Sequence, residues 1–333
     1  MDNSVIYPSK SVMKDYPLIS IITPSYNQSV YLEMAMQSVL NQDYPNLEYI
    51  VVDGNSTDGS QSIIKKYEGQ LFWWVSEKDN GQADAFNKGL QHVNGKYVGW
   101  LNSDDLYLPG VISEAIQILE SNPELTFVYG DVEAINAKGE VTNIMKYGNW
   151  GLPDLMQFKI LGQPAVFMRA DFLKNAGGLD SSYHYLLDHH LWIKLAAKGP
   201  IKYSGILWAA ARFHAEAKNV ALASEFGKEA YRLVAWMENN PEMNQLFLSE
   251  HKKILAGAHR MNARYLLDGG QYSESLNAYW QGMKLNIFTI LPEWHRVLYV
   301  LFAPFGVKKL KDVYLKIRFW VKRPDLKEKN NES

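Results

Sequence analysis

Two apolar runs in the first third of this chain stop abruptly at carboxylates. Tyr49-Ile50-Val51-Val52 ends on Asp53, and Val98-Gly99-Trp100-Leu101 leads through Asn102 and Ser103 into Asp104 and Asp105. Short runs without a polar face read as strands covered on both sides. Leu18–Thr23, Leu71–Ser76 and Thr126–Tyr129 have the same character, and helical patterns at Tyr31–Asn41, Ser60–Tyr67, Ala83–Val93 and Gly110–Glu120 separate them. Strands alternating with amphipathic helices predict an α/β sandwich around a mostly parallel sheet. Ligands of such sheets bind beyond the C-terminal strand edges, which is where these acids fall.

Composition narrows the classes. With 333 residues, 47% hydrophobic and 21% charged, the chain can bury a full core and is not a disordered polymer. A net charge of -2 argues against a whole-surface nucleic-acid binder, and the lack of Cys excludes disulfides and Cys-ligated zinc. The start, MDNSVIYPSKSVMKDYP, has neither the basic nor the apolar part of a secretory signal. No apolar run approaches the ~18–20 residues that span a bilayer. The longest, Val297–Val307, contains Pro304 and Gly306. A cytoplasmic protein is expected, with membrane-surface contact near its C-terminus.

The acids pose distinct chemical problems. Asp53 at a strand end needs a partner, and a nucleotide base or ribose supplies one; Gly54 lets the chain turn away sharply. Asp58, or Thr57 before it, is placed to cap the helix beginning near Gly59. Asp104 and Asp105 repel one another unless a cation or donor intervenes, and hard oxygen ligands suit Mg²⁺ or Mn²⁺. A turn with a helix cap is the alternative for that pair. Leu187, Leu191 and Leu195 mark a helix with Asp188 in its first turn.

SIITPSYNQ (20–28), VVDGNSTDGS (51–60), SEKDNGQADAFNKG (76–89), LNSDDLYLPG (101–110) and YLLDHHLWIKLAAKG (185–199) occur in this order. Together they resemble glycosyltransferase family 2, inverting enzymes with the GT-A fold, over residues 17 to 215. The resemblance implies an N-terminal arm over 1–16 and a GT-A domain over 17–224. Within it, a nucleotide-sugar half covers about 17–135 and an acceptor half about 136–224, and a helical extension follows over 225–333. It implies that Thr23, Pro24 and Tyr26 form a loop around the base and that Asp53 bonds the base or ribose. Asn80 and Gly81 would pass under the nucleotide, with Asp84 and Asn87 on the helix that follows. Asn102 and Asp104 would meet the diphosphate. Asp104, Asp105 and His214 would hold Mn²⁺ or Mg²⁺, with Arg212 as a diphosphate partner. Asp188 matches the catalytic base; Gln163, Pro164 and Trp192 fall on the acceptor side.

The chain departs from the family pattern at three places. Asn102 stands where many relatives carry an acid, which leaves metal ligation to Asp104 and Asp105. Leu187, His189 and His190 replace the acidic and aromatic neighbours common around the base; surface or packing roles are expected of both histidines, with orienting Asp188 or a substrate as the alternative. Near Phe86 there is no Arg to meet phosphate, as some relatives have. The segment from Lys308 to Arg323 interleaves Lys309, Lys311, Lys316, Arg318 and Lys322 with Val313, Leu315, Ile317, Phe319 and Trp320, a pattern suited to anionic lipid.

The expected activity is metal-dependent transfer from a nucleotide-sugar, UDP-linked by preference, to a hydroxyl of a saccharide or lipid-linked acceptor in cell-surface polysaccharide or glycolipid assembly. The competing reading is a catalytically degenerate domain acting as a nucleotide-binding scaffold. A dinucleotide enzyme is disfavoured because TPSYNQS after the first strand has no Gly, where a G-x-G-x-x-G turn would be needed.

Overall fold

The computed structural model describes residues 16–213 and 223–302. Its first half runs β1 (Ile19–Ser25), α1 (Leu32–Leu40), β2 (Leu47–Asp53), α2 (Ser60–Lys66), β3 (Trp73–Ser76), α3 (Gln82–Leu90), β4 (Tyr97–Trp100), β5 (Leu106–Tyr107) and α4 (Val111–Ser121). There follow β6 (Phe127–Asn136), β7 (Val141–Met145), α5 (Leu152–Met156), β8 (Val166–Arg169), α6 (Ala170–Asn175), α7 (Leu187–Ala196) and β9 (Ile201–Phe213). The last described segment is helical: α8 (Ala223–Asn239), α9 (Asn244–Asp268), α10 (Tyr272–Leu285), α11 (Ile287–Ile290) and α12 (Trp294–Phe302).

The nine strands form one sheet in the order β3-β2-β1-β4-β8-β6-β9-β5, with β7 alongside β6. The first four strands are parallel neighbours; β8 runs antiparallel to both β4 and β6. The sheet is therefore parallel on the side that carries Asp53 and mixed on the other. Alternation along each strand feeds two cores. In β2, Tyr49 and Val51 pack with α1 and α4 on one face, while Ile50 and Val52 pack with α3 and α7 on the other. Both sets are essentially solvent-free, which explains the unbroken apolar runs.

The helical extension is seated on the body. Phe226, Ala230 and Leu233 of α8 join the core beneath α7, whereas Leu266, Leu267, Tyr279 and Ile290 form a smaller cluster of their own. At Gly257 a Cβ would lie 2.2 Å from the Gln157 carbonyl oxygen, so α9 crosses the loop after α5 closer than any larger residue allows. Arg260 donates to the carbonyls of Gln157 and Phe158 at that crossing.

Candidate active site

At the parallel edge, Ser25 pairs with Asp53 in register and both strands end together. Thr23 and Pro24, expected in the loop, lie within β1 and are buried. Pairing between β1 and β4 stops at Ile22–Trp100, so the side of Pro24 that lacks an N–H has no ladder to complete. Thr23 Oγ1 accepts the Tyr49 hydroxyl at 3.1 Å inside the core. The open rim starts at Tyr26, 62% exposed, whose ring lies against Gly54.

Asp53 is fully buried, and the protein itself supplies its partners. Its Oδ2 accepts the Ser56 amide at 2.9 Å and the Ser76 hydroxyl at 2.6 Å, and Oδ1 accepts the Ser56 hydroxyl. This corrects the argument that a nucleotide must satisfy the carboxylate: two serines do so, and one of them lies 23 residues away on β3. Asp58 bonds the amides of Ser29 and Ser60 and the Ser60 hydroxyl. Burial alone would raise its pKa, but these donors hold it down at about 2. The loops after β1 and β2 are thereby locked together, with Asn27 and Asn55 both at positive φ.

On the neighbouring loop Asn80 is exposed, and its amide donates to Asp84 Oδ2 at 2.9 Å, while Gly81 N–H reaches Asp79 Oδ1. Asp84 thus caps the turn into α3. Asn87, expected toward the nucleotide, has both amide groups on the Leu179 backbone at 2.8 and 2.9 Å, tying α3 to the loop ahead of α7.

The acid pair sits beyond β4. Asn102 Oδ1 accepts the Gln82 amide at 2.6 Å, and its Nδ2 lies 3.4 Å from Asp105 Oδ2. Asp105 is buried and accepts the Arg212 backbone N–H at 2.9 Å. Burial first, and the Asp104 charge second, push its pKa well above the usual carboxylate range. The Arg212 guanidinium stacks on Tyr31 and donates to the carbonyls of Asp104, Asn136 and Ala137, so it braces the loop from beneath. His214 lies outside the described residues. Among the described residues no three His, Cys, Asp or Glu side chains cluster to hold a metal. Asp104 and Asp105, adjacent carboxylates of which the second is pushed up by burial and by the first one's charge, are of the oxygen type that would suit a hard divalent cation, which takes one or two carboxylates and completes its shell with water and substrate phosphates.

Asp188 opens α7, half-buried, with Oδ1 accepting the His189 N–H at 2.7 Å. Burial first, then the Glu229 charge, raise its pKa to about 6, against the pull of backbone donors. Tyr147 and Tyr265 also feel its charge. The Tyr147 hydroxyl lies close to Gly162, where an added Cβ would be 2.5 Å from it, and Gln163 next to it donates to the Trp100 carbonyl at 2.6 Å. Gln163 and Pro164 are both buried there. His189 and His190 pack inward; burial pushes them down to about 4 and about 3. Trp192, expected on the acceptor side, is instead buried between Trp100 and Phe127, out of reach of a sugar. Trp150 remains half-buried, with Lys159 over its ring. Gln82, Ser76, Tyr147, Tyr265 and Glu229 carry no sequence signal that singles them out; they come to the site only through the fold.

The comparisons agree with this architecture. A family model described as "Glycosyl transferase family 2" matches residues 20–167. The uncharacterized glycosyltransferase RT0329 of Rickettsia typhi is 31% identical over 216 residues, covering 62% of this chain and 67% of that protein. The putative teichuronic acid biosynthesis glycosyltransferase TuaG of Bacillus subtilis is 39% identical over 106 residues, 31% of this chain and 42% of that one. Other rickettsial glycosyltransferases match over 30–35% of their own length, so the chain spans about a third of them. Staphylococcus aureus TarS with UDP-GlcNAc superposes with a TM-score of 0.56 at 18% identity, over 79% of this chain and 89% of that one. The mannosyltransferase PcManGT of Pyrobaculum calidifontis with GDP-Man and Mn2+ gives 0.54 at 18%, over 89% of each chain. These two likenesses bear on the fold, which is the expected GT-A arrangement. With the matched segment spanning β1 to β8 and the relative aligned over two thirds of its length, this chain belongs to glycosyl transferase family 2.

Proposed function

We propose that the protein is an inverting glycosyltransferase that moves a sugar from a nucleoside-diphosphate sugar, UDP-linked by preference, to a hydroxyl acceptor during polysaccharide or glycolipid assembly. The observation that carries this reading is Asp188: a half-buried carboxylate in the first turn of α7 with its pKa raised to about 6 by burial. A base of that strength is ionised at neutral pH yet still takes a proton readily. Asp188 accepts the acceptor's proton as its oxygen bonds the anomeric carbon. The bond from that carbon to the phosphate oxygen breaks, and the nucleoside diphosphate leaves. One displacement inverts the centre, so a single carboxylate suffices.

Tyr26, Gly54 and the Asn80–Gly81 loop form the donor's base side, with Asp53 and its serines as the rigid floor beneath. Asp104 and Asp105 would hold Mn²⁺ or Mg²⁺, and a bound cation there offsets charge growing on the leaving diphosphate. The ligands of TarS and PcManGT support the donor class, and Mn²⁺ beside GDP-Man supports the metal; the name of TuaG supports the polymer setting. Residues 136–224 would form the acceptor half, with residues 225–333 as a helical extension and 1–16 as an arm whose first fifteen residues lie outside the description.

We also infer a membrane-surface contact. Among the described residues no helix is long and apolar enough to cross a bilayer. Phe288, Leu291, Trp294, Leu298, Leu301 and Phe302 are nevertheless 42–77% exposed on α11, α12 and the turn between them. The chain beyond them, outside the described residues, has nine Lys and Arg against four Asp and Glu. Apolar side chains beside a basic segment fit an anionic lipid surface.

The deciding experiment is calorimetry with UDP in the presence and absence of Mn²⁺, followed by a screen of UDP-, GDP- and dTDP-sugars for slow hydrolysis. Metal-enhanced UDP binding with turnover of one donor is expected. Nucleotide binding without hydrolysis of any donor would favour the scaffold reading, and absence of nucleotide binding would refute the donor site.

A further inference from the structure

Glu229 lies on α8, in the helical extension, yet its carboxylate is buried against the turn that leads into α7. Its Oε1 accepts the His184 N–H at 2.7 Å, and its Oε2 accepts the N–H groups of Tyr185 and Leu186 at 2.8 Å each. Three consecutive amides therefore converge on one ion, 43 to 45 residues away in sequence. Charge-assisted bonds of this kind are about twice as strong as neutral ones. They fix the backbone that ends at Leu186, two residues before Asp188. They also place a negative charge at the first turn of α7, where the helix dipole favours one.

The turn is held on its other side by apolar contacts from the same extension. Tyr185 packs against Phe226 at 5.0 Å between ring centroids, and Phe226 stacks on Tyr265 of α9 at 4.0 Å. α8 and α9 thus grip the segment that presents the carboxylate through Glu229, through Phe226 and Tyr265, and through Arg232 of α8, which donates to the Ser182 hydroxyl at 2.8 Å and lies over the Tyr183 ring. The chain between Gly178 and Leu187 is held elsewhere by the Asn87 bonds, the Asp180–Ser182 turn, Lys194 Nζ on the Gly178 carbonyl and Tyr183 against His190.

We propose that Glu229 is a positioning residue for Asp188: by clamping the amides of 184–186, the helical extension holds in place the group that takes the acceptor's proton. The proposal rests on Asp188 being the base. Around Asp188 the titratable groups are Glu229 from α8, Tyr265 from α9, Tyr147 from the segment after β7 and His189 beside it on α7. Burial keeps His189 neutral and raises the pKa of both tyrosines, and Glu229 supplies the carboxyl group among these neighbours.

The test uses the full chain as wild type, Glu229→Gln, Glu229→Asp and Asp188→Asn. Three quantities are read: amide hydrogen exchange at 184–186, the titration of the Asp188 carboxyl by ¹³C NMR, and hydrolysis of UDP-GlcNAc with Mn²⁺ against pH. Glu229→Gln should speed exchange at those amides and move the Asp188 titration to lower pH. Turnover should fall roughly 10–100-fold with the donor KM unchanged, as expected for a misplaced reacting group. Glu229→Asp keeps the charge and shortens the reach, so turnover falls while the titration stays near the wild-type position. A folded Glu229→Gln chain with wild-type titration and turnover would overturn the proposal. So would loss of the folded state in both Glu229 variants, which would make Glu229 a determinant of the whole fold. Undiminished hydrolysis by Asp188→Asn would instead overturn the base assignment, whatever the Glu229 variants do.

Discussion

Replacing Asp188 by Asn should remove turnover and at the same time make the protein more stable. Asp188 has a pKa of about 6 in the folded protein, against about 3.9 for an aspartate in an unfolded chain. Because the folded value is the higher one, the folded state binds the proton more tightly. Stability is therefore greatest below about pH 4 and declines as pH rises through 4 to 6, where the buried group must ionise. Two pKa units at about 1.4 kcal/mol each make ionised Asp188 cost the fold about 3 kcal/mol at pH 7. Asn has nearly the same shape and no charge to desolvate, so it should recover much of that, with a melting temperature several degrees higher. Loss of the base should lower turnover by about 10²–10⁴. In the wild type, about nine-tenths of a group titrating near 6 is ionised at pH 7 and about one-tenth at pH 5, so turnover should fall nearly tenfold across that range. The assays are urea unfolding at pH 5 and 7 and hydrolysis of the donor found by the screen, with UDP affinity as a control that should not change. A variant that is inactive but less stable at pH 7 would refute the claim that ionised Asp188 is held at an energetic cost. A variant of higher stability with intact turnover would refute its role as base.

Other perturbations probe the remaining parts. Asp104→Asn should abolish the Mn²⁺ enhancement of UDP binding measured by calorimetry; an undiminished enhancement would move the metal elsewhere. Gly54→Ala places a Cβ 2.7 Å from Asp79 Oδ2 and 3.1 Å from the Tyr26 ring, so UDP affinity should drop by about tenfold with little change in melting temperature. Unchanged affinity would take Tyr26 and Gly54 out of the donor site. Arg169, 7% exposed, donates to the carbonyls of Leu119, Asn122 and Leu125 and to the Tyr97 hydroxyl. Arg169→Ala should destabilise by about 3–5 kcal/mol in denaturant unfolding, since it strands several buried acceptors. Phe288→Glu with Leu298→Glu should weaken flotation with phosphatidylglycerol vesicles and leave donor hydrolysis intact; equal flotation would assign the exposed stripe to a protein partner.

How far the sequence reached depends on how local each determinant is. The apolar run expected to end on Asp53 is β2, which ends there, and the expected helices differ from α1 to α4 by at most three residues at either end, because periodicity and glycine punctuation act within a turn or two. The acids at the ends of β2 and β4 were legible for the same reason: a carboxylate after a solvent-free run has few places to go. What could not be read is the pairing of distant elements. Nothing near Val166 announces that β8 inserts antiparallel between β4 and β6. The serine at 76 satisfies Asp53 only because β3 lies beside β2 in register, Asp53 against Ser76. Trp192 and Asp188 occupy the same helix four residues apart, yet Trp192 is solvent-free and Asp188 only half-buried, because Trp192 packs against Trp100 and Phe127 of the sheet. The packing of α8 delivers Glu229 to the amides of 184–186. A family motif marks Asp188, but the pKa of its carboxyl is raised first by burial, which elements outside the motif supply. Two relatives with identical motifs and different C-terminal helices should therefore differ in the acid limb of their rate profiles.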